Sequence, residues 1–164
     1  EYVGATAGLG LYMTLKQLAK ARGASQDMRR QAIVVLSDGE DTTSLMTFDD
    51  VMEVAKQAGI ATYTITLRSP EYTAFEQAHG SRYFSESEYS MRQLAKETGG
   101  RFYEVSNKHP IEQIYASIQE DLRNQYNIGY SSDKPYDGTF RKIKVSTRVK
   151  DLTVQSREGY YARN

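Results

Sequence analysis

The chain has 164 residues, which is enough for one domain with a core of its own. Hydrophobic residues make up 39% and charged residues 26% of it, the balance of a folded globular protein. The 21 basic residues equal the 21 acidic ones, which argues against a nucleic-acid partner. Because the sequence lacks cysteine, a disulfide framework, a thiolate metal site and a cysteine nucleophile are excluded. No apolar run reaches the length of a membrane helix, so this chain is predicted to carry no membrane segment.

Helical and extended patterns alternate over the first three quarters of the chain. Apolar spacing predicts helices over about residues 8–22, 47–58, 91–98 and 111–122, and β-rich runs predict strands over 31–37, 60–67 and 101–105. Thr47 and Asp50 form a capping-box pattern, Gly59 fits a helix end, and Pro110 fits a first helical turn. The continuous apolar run 33–36 is typical of a strand buried on both faces. Such alternation predicts an α/β fold, a mainly parallel sheet flanked by helices.

From residue 125 onward the pattern changes to strands and hairpin turns. Strands are predicted over 126–131, 140–149 and 152–156. We therefore divide the chain into an α/β body, 1–124, and a β-hairpin extension, 125–164, packed on the same domain. One face of the middle strand is partly apolar and the other is basic. Its basic residues are Arg141, Lys142, Lys144 and Arg148. They fit a solvated face better than a docking site for an acidic partner.

The segment 34–42 carries the clearest chemical signal. A predicted buried strand ends at Ser37 and runs directly into three carboxylates, Asp38, Glu40 and Asp41, with Gly39 permitting a tight turn. Ligands of an open parallel sheet bind outside the carboxyl ends of its strands, and carboxylate oxygens suit a hard cation such as Mg²⁺ or Ca²⁺. The same residues also fit an ordinary solvated turn.

Residues 33–43, with Thr6 in the segment 4–7, resemble von Willebrand factor type A domains. Four further segments resemble a bacterial, often exported, subgroup of that family: 94–102, 121–126, 137–143 and 157–161. Only the tyrosine-bearing loop 72–86 has no counterpart, and its role stays open. The resemblance implies a Rossmann-like fold that is truncated at its N-terminus, because the family's first strand and helix have no match here.

The resemblance also implies a metal-ion-dependent adhesion site. Thr6 and Asp38 match two of its metal ligands, with Ser37, Gly39, Glu40 and Asp41 as accessory residues, and the implied metal is Mg²⁺, or Ca²⁺ or Mn²⁺. The family's Asp-x-Ser-x-Ser segment does not occur in the sequence. Two alternatives follow: a preceding segment of the parent protein supplies it, or this chain is metal-free.

The implied function is a protein-binding module for adhesion or scaffolding, not an enzyme, whose partner offers an Asp or Glu carboxylate to the metal. By resemblance its location is extracytoplasmic, periplasmic or secreted. Loss of a central strand would expose residues 33–36, which favours oligomerisation, aggregation or pairing with the missing segment.

Other functions remain as alternatives. A metal-independent structural or interaction domain needs no cation. A dinucleotide-binding enzyme is suggested by Gly8 and Gly10 at a helix start, but Met13 stands where the fingerprint needs glycine. A hydrolase is disfavoured because the two histidines, His79 and His109, lie far from any nucleophile motif.

Overall fold

The computed structural model describes residues 7–24, 31–37, 47–67, 78, 86–126 and 128–162. Helices and strands alternate through the body, as the sequence predicts, and a pair of short strands follows. The order is α1 (Ala7–Ala24), β1 (Ala32–Ser37), α2 (Phe48–Ala58), β2 (Ala61–Leu67), α3 (Glu86–Thr98), β3 (Phe102–Val105), α4 (Ile111–Arg123), β4 (Phe140–Lys142) and β5 (Gly159–Tyr161).

A parallel sheet of the order β1-β2-β3 forms the centre of the body. Its middle strand, β2, is rich in the β-branched and aromatic residues that pack well on a pleated surface. All its residues from 62 to 66 are buried. The predicted parallel sheet flanked by helices is therefore confirmed.

The helices cover the two faces of this sheet and form two clusters. On one face Leu15 of α1, Ala55 of α2 and Leu94 of α3 belong to one buried cluster. On the other face Tyr63 and Ile65 of β2 pack with residues of α4. Consequently β2 lies between helices on both sides, and its position is set by both clusters.

The prediction that the first strand is buried on both faces is wrong. Val34 and Leu36 of β1 are 38% and 45% exposed. They lie on the face that α4 covers, but the cluster of α4 is formed mainly with β2 and β3. The double-sided burial expected for β1 is found in β2 instead.

Sequence signals at the helix ends agree with the structure at two of three positions. The Thr47 hydroxyl accepts a hydrogen bond from the Asp50 amide at 3.2 Å, and the Asp50 carboxylate accepts one from the Thr47 amide at 3.1 Å. Gly59 ends α2 in the left-handed conformation, with φ of 61°. Pro110 is the N-cap of α4, one position before the predicted first turn. Its carbonyl accepts the amide hydrogen bonds of the helix start.

The extension contains less regular strand than predicted. β4 and β5 pair antiparallel, and one further bond runs from the Ile143 amide to the Glu158 carbonyl at 2.7 Å. The strands predicted over 126–131 and 152–156 are wrong, and the one predicted over 140–149 ends at residue 142. Within the described residues these segments have no neighbouring strand to complete a ladder, and the ring of Tyr126 is 89% exposed.

The extension contacts the end of α3. The Glu158 amide donates to the Glu97 carbonyl at 3.1 Å, and the Gln155 side chain donates to the Gly99 carbonyl at the same distance. The ammonium of Lys56 in α2 lies 5.3 Å from the centroid of the Phe140 ring. The division at residue 124 stays a prediction.

Gly100 follows the end of α3 at a place where two backbones touch. A Cβ atom there would overlap the carbonyl group of Thr62 at the start of β2. The neighbouring Gly99 has φ of 83°, which side chains rarely adopt. Only glycine therefore lets α3 return to the sheet this closely.

Gly100→Ala is expected to lower the free energy of unfolding by about 3 kcal/mol, because the backbones of β2 and β3 must separate to admit a methyl group. The measurement is chemical denaturation followed by circular dichroism. Gly129→Ala is the matched control, since nothing lies within 4 Å of a Cβ at Gly129. Equal free energies of unfolding for Gly100→Ala and Gly129→Ala would contradict the close approach of the Gly100 and Thr62 backbones.

Asp50 gives a pH-dependent prediction. Hydrogen bonds from the Thr47 side chain and then its backbone lower the pKa of Asp50 below its ordinary value of 3.8. A carboxylate with a depressed folded-state pKa stabilises the fold above its unfolded-state pKa and loses that effect as pH falls through the folded value. The stability difference between the wild type and Asp50→Asn should shrink between about pH 6 and about pH 3. Parallel denaturation curves test this, with Asp49→Asn as the control, and a pH-independent difference would contradict it.

Candidate functional site

The carboxyl ends of the three parallel strands meet at one edge of the sheet. Ser37 at the end of β1 pairs with Thr66 of β2, and Thr66 pairs with Glu104 of β3. Neighbouring strands lie about 4.8 Å apart, and paired residues project from the same face. Two hydroxyls and a carboxylate therefore form one row across the sheet, which we call the polar row.

Thr66 differs from the other threonines of its strand. The Thr64 hydroxyl donates to the Met91 carbonyl at 3.0 Å, and the Thr62 hydroxyl donates to the Ile60 carbonyl at 3.4 Å. The Thr66 hydroxyl is buried, yet it has no hydrogen-bond partner in the described part of the chain. An unpaired buried hydroxyl costs about 1–3 kcal/mol, so such a group indicates a place that a water, an ion or a ligand completes.

The predicted site residues lie mostly outside the described residues. Thr6, Asp38, Gly39, Glu40 and Asp41 all fall in segments that the structure does not describe. Ser37 is described, and it is the last residue of β1 and the first member of the polar row. Ser37 is thus brought beside Thr66, and the roles of the other five residues stay predictions.

The side chains of the polar row offer oxygen ligands, the kind that a hard divalent cation prefers. Among the described residues, no group of three or more His, Cys, Asp or Glu side chains is placed to hold a metal. The polar row therefore fits a cation only as a partial shell.

Sequence reasoning missed two members of the row, Thr66 and Glu104. Both lie in the last two positions of strands that the sequence predicts, and the carboxyl ends of parallel strands share an edge. That signal was sufficient to place the two residues near Ser37. The unpaired state of the Thr66 hydroxyl had no sequence signal, because it depends on the packing around it.

A second polar group lies under α4 and has a structural explanation. Arg101 and Asp121 form an ion pair with Nε to Oδ2 at 3.1 Å. Burial, and after it the Asp121 charge, raises the pKa of Tyr63 and of Tyr103. The ion pair joins the end of α4 to the start of β3, and its two residues lie in the segments 121–126 and 94–102.

One relative, one solved structure and one family model show similarity to this chain. An uncharacterized protein of Borreliella burgdorferi is 25% identical over 156 residues; the match covers 91% of this chain, and the chain spans 40% of that relative's length. An uncharacterized membrane-spanning protein of Vibrio fischeri gives a TM-score of 0.42 at 19% identity, covering 66% of this chain and 53% of the other. None of the helices in the described part has the length and apolar character to span a membrane. The sequence model of the von Willebrand factor type A domain matches residues 1–117, so the chain belongs to that family.

Proposed function

We propose that this chain is a metal-assisted protein-binding module whose binding surface is the carboxyl edge of the three-stranded sheet. Type A domains are in general interaction modules rather than enzymes. The observation that supports this edge most directly is the buried hydroxyl of Thr66, which lacks a partner among the described residues and lies beside Ser37. Asp38 follows Ser37 in the chain.

In this proposal Asp38 and Thr6 are the protein's metal ligands, and the hydroxyls of the polar row support them. Mg²⁺, or Ca²⁺ or Mn²⁺ in its place, would supply the positive charge that attracts the partner's carboxylate. Uncharged hydroxyl groups suit that role because they do not cancel the charge that attracts an acidic side chain. Asp38 contributes a full negative charge that helps to hold the cation at the edge.

The partner in this proposal is a protein that presents an Asp or Glu carboxylate. The resemblance to exported bacterial type A domains supports an extracytoplasmic location, in the periplasm or outside the cell. The relative from Borreliella burgdorferi is longer than this chain, which spans 40% of it. A whole protein of that kind would combine this module with other segments.

A metal-independent interaction domain is the second candidate. Two observations favour it: the sequence contains no Asp-x-Ser-x-Ser segment, and Val34 and Leu36 leave an apolar flank on β1. In this version the partner packs against β1 by burying apolar surface, and no cation is required.

Calorimetric titration with Mn²⁺ separates the two candidates. The metal-assisted proposal expects saturable binding that Asp38→Ala weakens by about 100-fold, because the variant removes the charged ligand. Asp49→Ala is the matched control, since it removes an exposed carboxylate from the start of α2. Absence of Mn²⁺ binding, or equal binding by both variants, would leave the metal-independent candidate.

Thr66→Val tests the polar row itself. Valine keeps the shape of threonine and removes the hydroxyl, so the metal-free protein should lose no stability if that hydroxyl is unpaired. Mn²⁺ binding should weaken in the same variant. A clear loss of thermal stability without metal would show that Thr66 is hydrogen-bonded, and the edge would lose its main support.

A further inference from the structure

A surface pocket lies on the extension, in a part of the molecule that the proposed function does not use. Its volume is about 510 Å³, within the range of small-ligand sites. The segment from Tyr130 to Lys142 and the ring of Tyr160 on β5 line it. The rings of Tyr130 and Tyr160 meet edge to face, with centroids 6.0 Å apart.

The lining contains three cationic side chains and one carboxylate. The cations are Lys134, Arg141 and Lys142, and the carboxylate is Asp137. Asp137 is already engaged: its Oδ1 accepts the Thr139 amide at 3.0 Å and the Thr139 hydroxyl at 2.7 Å, and it lies 3.4 Å from the Arg141 guanidinium. Those hydrogen bonds, with a smaller effect from Arg141, lower the pKa of Asp137. The carboxylate is therefore held within the wall of the pocket.

The lysines remain available to a ligand. In the part of the chain that the structure describes, no carboxylate lies within ion-pair distance of the Lys134 ammonium. Lys142 pairs with Glu158 at 3.5 Å, but its side chain is 79% exposed, so solvent screens that pair. From residue 128 to 162 the chain carries seven basic and four acidic residues, although its total charge is zero. The pocket thus lies in a locally positive region.

The polar side chains at the pocket wall are held by their neighbours. Arg141 Nη1 donates to Ser132 Oγ at 3.0 Å. Interaction with Tyr130, and after it with Arg141, lowers the pKa of Tyr160. The surroundings of this hydroxyl therefore favour negative charge. Tyr160 and Lys134 both line the pocket, so it offers a hydroxyl donor and a cation to a ligand.

We propose that this pocket binds a small oxyanion, a phosphate or carboxylate group, held by the Tyr160 hydroxyl and the Lys134 ammonium. Its walls offer donors and positive charge, while the one carboxylate among them is internally paired. Charge-assisted hydrogen bonds of this type are the strong ones, and they give an anion preference over neutral ligands. Arg141 is a positioning residue, since it donates to Ser132 Oγ and pairs with Asp137.

Titration followed by amide chemical shifts in ¹⁵N-labelled protein tests the site. Inorganic phosphate and succinate are the two probes, and sodium chloride at matched ionic strength is the blank. Saturable shifts confined to residues 130–142 and 159–161 are expected with at least one probe, and the tighter probe identifies the anion class. Shifts that do not saturate, or that chloride reproduces, would overturn the proposal.

Variants assign the effect to the two named groups. Tyr160→Phe keeps the ring and removes the donor, and Lys134→Gln removes a charge at an exposed position; each should weaken binding about tenfold. Lys150→Gln removes the same charge outside the lining and should change affinity less than about twofold. Equal affinity of Lys134→Gln and Lys150→Gln would contradict the site even if Tyr160→Phe proved unstable. None of these variants touches the sheet edge, so a failure of this test does not affect the proposed metal-assisted function.

Discussion

The architecture depends on the burial of β2 between two layers of helices. Tyr63 and Ile65 face α4, while the alternate residues Thr62, Thr64 and Thr66 face α3 and its neighbours. β1 and β3 both pair with β2, and both run parallel to it. Because the pairing is parallel and in register, every strand delivers its carboxyl end to one edge. The chemistry of that edge therefore follows from a packing constraint in the middle of the sheet.

The buried strand β2 carries three threonines, at positions 62, 64 and 66, and burying a hydroxyl costs free energy. A hydroxyl on a strand that is covered on both sides must find an acceptor, and Thr62 and Thr64 find backbone carbonyls nearby. Thr66 is 7% exposed, against 0% for Thr62 and Thr64, and it lies one residue before the end of the strand. Its hydroxyl has no partner among the described residues, and the proposed site at the edge would supply one. Aliphatic residues would have served the core equally well at this position, so threonine is better explained by the edge than by packing.

The sequence predicted the body well because its signals are local there. Helix spacing, the capping pair at Thr47 and Asp50, and Gly59 each act within a few residues, and each is found in the structure. Burial is not local: β1 carries the continuous apolar run and β2 alternates threonine with larger side chains, yet the placement of α4 decides which strand is covered twice. The strands predicted in the extension are wrong for a related reason. The alternation after residue 125 indicates side chains suited to a strand, but it does not show whether a neighbouring strand is present to pair with. Polar groups that need two distant segments, such as Arg101 with Asp121, have no signal in the sequence at all.

The two proposed sites attract the same chemical class by different means. At the sheet edge the protein's own groups are oxygen donors, so an acidic partner is attracted only through a bound cation. In the pocket of the extension the protein's own groups are cations and hydroxyls, so the proposed anion would bind directly. A chelator would abolish the first interaction and leave the second, whereas salt would screen the exposed lysine of the second more strongly. A chain of zero net charge can therefore hold two anion-seeking surfaces, because charge is distributed locally and total charge does not describe either surface.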